Sequence, residues 1–511
     1  MNAQPGAGVS AAVEDYRSLR ATLERAIRPL ATSLDGRRFT VQASPHDLEL
    51  QAGGYVAVEC DPPALGQVTR LDLRTEAGAD LAFSTGTGPA AAGTDAPQEV
   101  RAPVRLRVVR GEGVLLGGES RPFHDAAVRP ARPDEVGALL ERLRPARATL
   151  AFGELLTAPG VELRLDAGGF GRHTFLCGQS GSGKTYALGL LLEQLLLETS
   201  LRVVVLDPNS DYVRLGEPRP DGDADLSARY RERARVDVRT ARDGGPDRLR
   251  LRFAELDAAT QAAVLGLDPI ADREEYAELV ALVEEARGAE LAPLVDVAAR
   301  RPGSEPLAQR ARNLGLAGWS LWAGADPGSL VDELRDGDWR CLVVDLGSLG
   351  SRAEQALAAD ALLGELWRAR ARREPVLVVV DEAHNLCPTR PEDALTARST
   401  EHLIAIAGEG RKFGLYLLVA SQRPQKVHEN VLSQCDNLLL MRMNSVADLA
   451  AVGDVFSFVP PGLLERATAF RQGECLAAGT LVSHPALARV GARLSQEGGA
   501  DVPASWAARA G

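Results

Sequence analysis

The chain has 511 residues, 45% of them hydrophobic and 25% charged, which gives length and apolar content for two or three folded domains and excludes a disordered or fibrous protein. A net charge of -12 and a pI near 5.3 exclude a surface coated for nucleic acid, so any contact with DNA has to be local. The longest apolar stretches, such as Leu188 to Leu197, are interrupted by Glu193 and fall short of the roughly 20 residues of a membrane span. The first residues also lack the basic start and apolar run of a secretion signal, so no membrane insertion is expected and the expected location is the cytoplasm. Six cysteines lie far apart without metal-ligand spacing, as buried reduced thiols do. Only Lys184, Lys412 and Lys426 among the 58 basic residues are lysines, which marks Lys184 as a position where lysine itself is wanted.

In chain order, the spacing of Tyr16, Leu19, Leu23 and Ile27 predicts a helix from about Val13 to Leu34, within an N-terminal extension 1–36. Residues 37–130 read as a small β-barrel or sandwich. Phe39 to Gln42, Tyr55 to Glu59, Val68 to Arg74 and Val104 to Val109 are rich in β-branched and aromatic residues, and Gly86 to Ala96 reads as a loop. A helix from Pro133 to Leu143 opens a domain spanning 131–456. There, short apolar runs alternate with helical stretches, as in a parallel sheet covered on both faces. The predicted strands are His173 to Cys177, Arg202 to Leu206, Cys341 to Asp345, Val376 to Val380, Leu415 to Ala420 and Leu438 to Met443. Between the second and third lies a charged, mostly helical insertion at about 221–338, and a C-terminal extension, 457–511, is expected to pack on a neighbouring subunit.

Three motifs carry chemistry. Gly178, Gln179, Ser180, Gly181, Ser182, Gly183, Lys184 and Thr185 form the complete G-x-x-x-x-G-K-[ST] pattern between an apolar strand and a helix. Such a loop turns successive backbone N–H groups toward phosphates, with lysine reaching the β- and γ-phosphates and the threonine hydroxyl reaching magnesium. ATP and Mg2+ are the cofactors implied. The run Val376 to Val380 ends in Asp381 and Glu382, which suit a magnesium holder and a general base. An acidic helix start is the alternative for that pair. Phe413 to Pro424 is a strand ending in Gln422. Gln422 can orient water at a γ-phosphate if this strand lies between the other two motif strands, and is otherwise an ordinary polar strand end. Arg411 and Lys412 precede it on a glycine-flanked turn and read by default as solvated surface charge.

Together with Asp207-Pro208-Asn209-Ser210-Asp211-Tyr212 and Glu409 to Gly414, these motifs resemble the HerA branch of the HerA/FtsK ATPases. Gly53 to Glu59 with Gly66 to Val68 is similar to the small N-terminal barrel of that family, and Gly473 to Gly479 to its C-terminal region. The resemblance implies an α/β fold: a RecA-like P-loop NTPase core with a parallel-rich sheet, preceded by the barrel and carrying the helical insertion. It implies a homo-hexamer that pulls double-stranded DNA through its pore and serves a separate nuclease or effector, in DNA-end repair or antiviral defence. It carries over Lys184 and Thr185 as phosphate and magnesium ligands, Asp381 as metal holder, Glu382 as catalytic base, Gln422 as γ-phosphate sensor and Arg411 as a finger entering a neighbour's site. DNA contact is expected from Leu386 to Thr400, through Arg390 and Arg398. The helical extension before the barrel departs from the family pattern. An ATP-dependent scaffold that activates an effector, and a secretion or conjugation motor, stay open as other functions.

Overall fold

A computed structural model describes residues 7–84, 99–118, 121–242, 247–285, 298–323 and 328–499, so the expected loop Gly86 to Ala96 lies outside the described residues. The chain divides into two units. The first comprises Met1–Arg144, Leu155–Val161 and Pro460–Glu465, and the second Pro145–Glu154, Glu162–Val459 and Arg466–Gly511.

In the first unit a helix, Ala7–Arg25, is followed by β1 (Leu30–Ser33), β2 (Arg38–Ala43), β3 (Tyr55–Val58), β4 (Ala64–Ser84), β5 (Glu99–Leu116) and β6 (Phe123–Pro130). These strands close into a barrel in the order β1-β2-β5-β4-β3-β6, each antiparallel to its neighbours. Alternation along β2 sends Phe39, Val41 and Ala43 inward, onto Val56, Val58, Val68, Val109 and Val128. The helix stops short of the expected Leu34. Pro29 lacks an N–H and disfavours helical geometry in the residue before it, and Leu30–Ser33 then joins the barrel. The buried Glu24 ties the helix down, accepting hydrogen bonds from Arg107 Nε (3.1 Å) and Nη2 (3.0 Å) and facing His46 Nε2 at 2.8 Å. These bonds, above all those from Arg107, pull the Glu24 carboxyl down to about 2. The helix Pro133–Leu143 forms as expected but belongs to the barrel unit, burying Val136 and Leu139, with Arg129 paired to Glu135 at 2.7 Å.

The second unit is built on one 11-stranded sheet. Its strands are β7 (Thr149–Leu155), β8 (Glu162–Asp166), β9 (His173–Cys177), β10 (Arg202–Asp207), β11 (Val236–Thr240), β12 (Cys341–Asp345), β13 (Val376–Val380), β14 (Leu415–Ser421), β15 (Cys435–Met441), β16 (Glu474–Gly479) and β17 (Ala486–Val490). Their order is β11-β12-β10-β13-β14-β9-β15-β16-β17-β7-β8. Every pairing from β11 to β15 is parallel, and β16 and β17 are antiparallel additions. Strands β9, β12 and β13 are buried along their whole length, as an apolar strand covered on both faces must be.

The mostly helical insertion also holds a strand: between the helices Ala224–Ala234 and Ala258–Val264, β11 extends the sheet edge beside β12. Part of the C-terminal extension, expected to pack on a neighbouring subunit, supplies β16 and β17 to the chain's own sheet, because Cys475, Leu476, Ala477 and Ala478 bury against β15. Cys177, Cys341, Cys387, Cys435 and Cys475 are buried free thiols. No described helix is long and apolar enough to cross a membrane.

Candidate functional site

The loop Gly178–Gly183 joins β9 to the helix Lys184–Glu198 at the C-terminal edge of the parallel strands, where ligands of open α/β sheets bind. Two glycines there are structural requirements. Gly183 caps the helix in a left-handed conformation (φ 96°), and a Cβ on Gly178 would come within 2.6 Å of Met441 Cβ. Arg442 braces the loop, its carbonyl accepting from Gln179 N at 2.9 Å and its Nη2 donating to Gly181 O at 3.3 Å. The Ser182 hydroxyl is buried within the loop with no hydrogen-bond partner.

Strand β14 lies between β13 and β9, the condition set for Gln422. The three motifs therefore converge. Lys184 Nζ, buried, donates to Asp381 Oδ1 and lies 3.2 Å from Glu382 Oε1. Gln422 Nε2 donates to the same Glu382 oxygen at 2.6 Å. Burial opposes the charge on Lys184, but Asp381 and Glu382 outweigh it, and the ammonium titrates above its ordinary range. Glu382 has a left-handed backbone (φ 44°), uncommon for a residue with a Cβ and a local strain of the kind that collects at functional sites.

Four residues to which the motif reading gave no role complete the site. His384 Nδ1 lies 3.3 Å from Glu382 Oε2 and 3.2 Å from Ser421 Oγ, and burial lowers its pKa. Tyr212 OH donates to Asp381 Oδ2 at 3.2 Å, and burial and the Asp381 charge push the neighbouring Asp211 carboxyl above its ordinary range. Asp207, fully buried at the end of β10, is pushed up to about 7 by burial, against hydrogen bonds from the N–H groups of Tyr212 and Asp211. An apolar strand ending in Asp, followed by a polar turn, was the signal available for this cluster. Asp345, on the neighbouring strand, is occupied by Ser210 Oγ at 2.6 Å.

The donors fit magnesium, which takes one or two carboxylates together with substrate phosphates and water. Thr185 and Asp381 offer oxygen ligands, a cationic nitrogen already rests on Asp381, and the orphaned Ser182 hydroxyl faces no protein partner. Among the described residues no group of three or more His, Cys, Asp or Glu is arranged to hold a metal unaided.

Beyond Glu382 and Gln422 opens a cleft of about 650 Å³ whose walls include Arg352, Arg390, Arg423 and Lys426. Its two loops are joined by hydrogen bonds from Thr389 N to Lys426 O (3.1 Å) and from His428 N to Cys387 O (2.9 Å). Arg390 is exposed on this wall.

Arg398 is not on it. Its Nη2 pairs with Asp257 Oδ2 at 2.9 Å and its Nε with Asp360 Oδ2 at 3.2 Å, clamping the inserted helix Ala258–Val264 to the helices Arg352–Ala369 and Ala394–Glu409. Burial opposes the charge of Asp360, yet His402, Arg398 and Thr260 outweigh it and lower its pKa. Arg398→Ala should therefore destabilise the protein by about 2 kcal/mol, read by denaturant unfolding, because it removes a partner from a buried carboxylate. Unchanged stability would show the clamp to be idle.

Arg411 stands just before β14, at the opposite end of that strand from Gln422 and roughly 20 Å away for a strand of this length. It donates to Asp436 Oδ2 at 2.7 Å, a carboxylate it shares with Arg172. It does not reach its own chain's P-loop.

Residues 150–292 match the family model described as "Helicase HerA, central domain". The chain is 25% identical over 431 residues to the DNA double-strand break repair helicase HerA of Sulfurisphaera tokodaii, covering 78% of this chain and 79% of that one. It is 25% identical over 404 residues to the protein of the same name from Pyrococcus furiosus, covering 67% and 69%. Among solved structures, VirB4 of Thermoanaerobacter pseudethanolicus aligns with a TM-score of 0.49 at 17% identity, over 68% of this chain and 98% of that one.

Proposed function

We propose that the chain is a HerA-like P-loop ATPase that works as a motor on double-stranded DNA. In this reading it assembles as a homo-hexamer and serves a separate nuclease or other effector, in repair of DNA ends or in antiviral defence. One observation carries the reading: Glu382 and Gln422, which meet each other at 2.6 Å, also line the cleft that holds Arg352, Arg390, Arg423 and Lys426. A change at the γ-phosphate thus has a direct route to cations suited to a DNA backbone. Relatives named as DNA repair helicases over most of the chain support the same substrate.

The geometry supports a role for each of these residues. The N–H groups of Gly178 to Thr185 and the start of the helix at Lys184 receive the phosphates. Lys184 exchanges its two carboxylates for phosphate oxygens, which relieves Glu382 of the ammonium. Glu382, still aimed by Gln422, then accepts the proton of the attacking water. Magnesium bound through Thr185 and Asp381 would supply positive charge against the phosphate oxygens.

Linear duplex DNA should raise the ATPase rate, and DNA affinity should fall with salt at a slope of about -0.9 per phosphate neutralised. Replacing Arg390, Arg423 and Lys426 together by Ala should flatten that slope and remove the stimulation, with basal hydrolysis retained. DNA binding that ignores salt, or that survives the triple substitution unchanged, would take this cleft out of the DNA path.

A further inference from the structure

The turn after β10 is built around one carboxylate. Asp207 Oδ1 accepts from Asn209 N (3.3 Å) and Asp211 N (2.9 Å), and Oδ2 from Tyr212 N (2.8 Å). Ser210 takes a left-handed backbone (φ 62°), anchored by Asp345, and the chain doubles back toward β13. Strand β10 lies beside β13, and Asp381 N donates to Leu206 O at 3.2 Å, so the turn faces the metal-side carboxylate. Tyr212 and Asp381 are both fully buried.

This arrangement divides the Asp381 carboxylate. Oδ1 accepts from Lys184 Nζ and, at 2.8 Å, from Glu382 N, whereas Oδ2 accepts from Tyr212 OH at 3.2 Å. When phosphates draw Lys184 away, Oδ1 loses its cation and the Tyr212 hydroxyl still holds Oδ2.

We propose that Tyr212 is a positioning residue of the magnesium centre, fixing the plane of the Asp381 carboxylate. The proposal rests on Asp381 being a metal-side ligand. Groups in this relation to a ligand typically change metal affinity by about 10- to 100-fold when removed.

The experiment titrates magnesium against binding of a fluorescent ATP analogue, mant-ATP, by the full chain, beside a series in EDTA. Tyr212→Phe removes one oxygen and keeps the ring. It should bind mant-ATP in EDTA as the wild type does and raise the magnesium midpoint about 10-fold. Its ATPase should recover at saturating magnesium, and the nucleotide-free variant should unfold at the wild-type temperature. Tyr212→Met, which likewise lacks the oxygen, should move the midpoint in the same direction, and it decides alone if Tyr212→Phe folds poorly. Asp381→Asn separates the two levels of inference. If it keeps the wild-type midpoint, Asp381 is not a metal-side ligand and both readings fall. If it loses the magnesium response while Tyr212→Phe and Tyr212→Met keep the wild-type midpoint, the metal reading stands and the positioning role is overturned.

Discussion

Glu382→Gln should hold ATP and stop turning it over, with a loss of about 10² to 10⁴ in hydrolysis rate, the usual contribution of a positioned general base. The amide keeps the length and shape of the side chain, so its place beside Lys184 and Gln422 is retained, while the lone pair that would take the proton of water is lost. Lys184→Ala should differ in kind. It removes the ammonium that meets two phosphates and strands the buried Asp381 without its cation, so both binding and hydrolysis fail. Nucleotide binding measured beside phosphate release separates the two variants. Hydrolysis by Glu382→Gln at near the wild-type rate would remove Glu382 as the base.

Arg411→Ala should bind ATP normally and lose about 10³ to 10⁵ in rate, the range for a cation brought to the transferring phosphoryl group from a neighbour. Within one chain Arg411 is tied to Asp436 at the far end of β14 from Gln422, so only another subunit's site is open to it. Hydrolysis should accordingly climb more steeply than linearly with protein concentration where subunits assemble. Mixing Arg411→Ala with Lys184→Ala should restore part of the activity, because some interfaces then pair an intact P-loop with an intact arginine. A fully active monomer, or normal turnover by Arg411→Ala, would end the assignment.

What the sequence disclosed and what it hid follow a physical division. Strands β9, β12 and β13 match the expected residues end to end, because each is a short run built on at least three consecutive apolar residues and needs no distant information. The P-loop was legible for the same reason, its chemistry being carried by consecutive residues. Strand β11 was legible in the alternation of Val236–Thr240, the pattern of a half-buried edge strand, but the charged, helix-rich run around it masked that short signal. Arg398 was misjudged because the acids that claim it, Asp257 and Asp360, lie 141 and 38 residues away in sequence. The role of Tyr212 depends on β10 lying beside β13, a neighbour relation that no periodicity in either strand encodes.

The hydrogen bonds between the loops after β13 and β14 bear on stiffness. Surface loops ordinarily open and fray one at a time. Here Thr389 is tied to Lys426 and Cys387 to His428, so neither loop opens without breaking bonds to the other. A displacement started beside Glu382 and Gln422 should therefore reach Arg390 and Lys426 together. Inserting one residue into either loop would shear these ties and leave each loop to flex alone, while altering no side chain that meets the nucleotide.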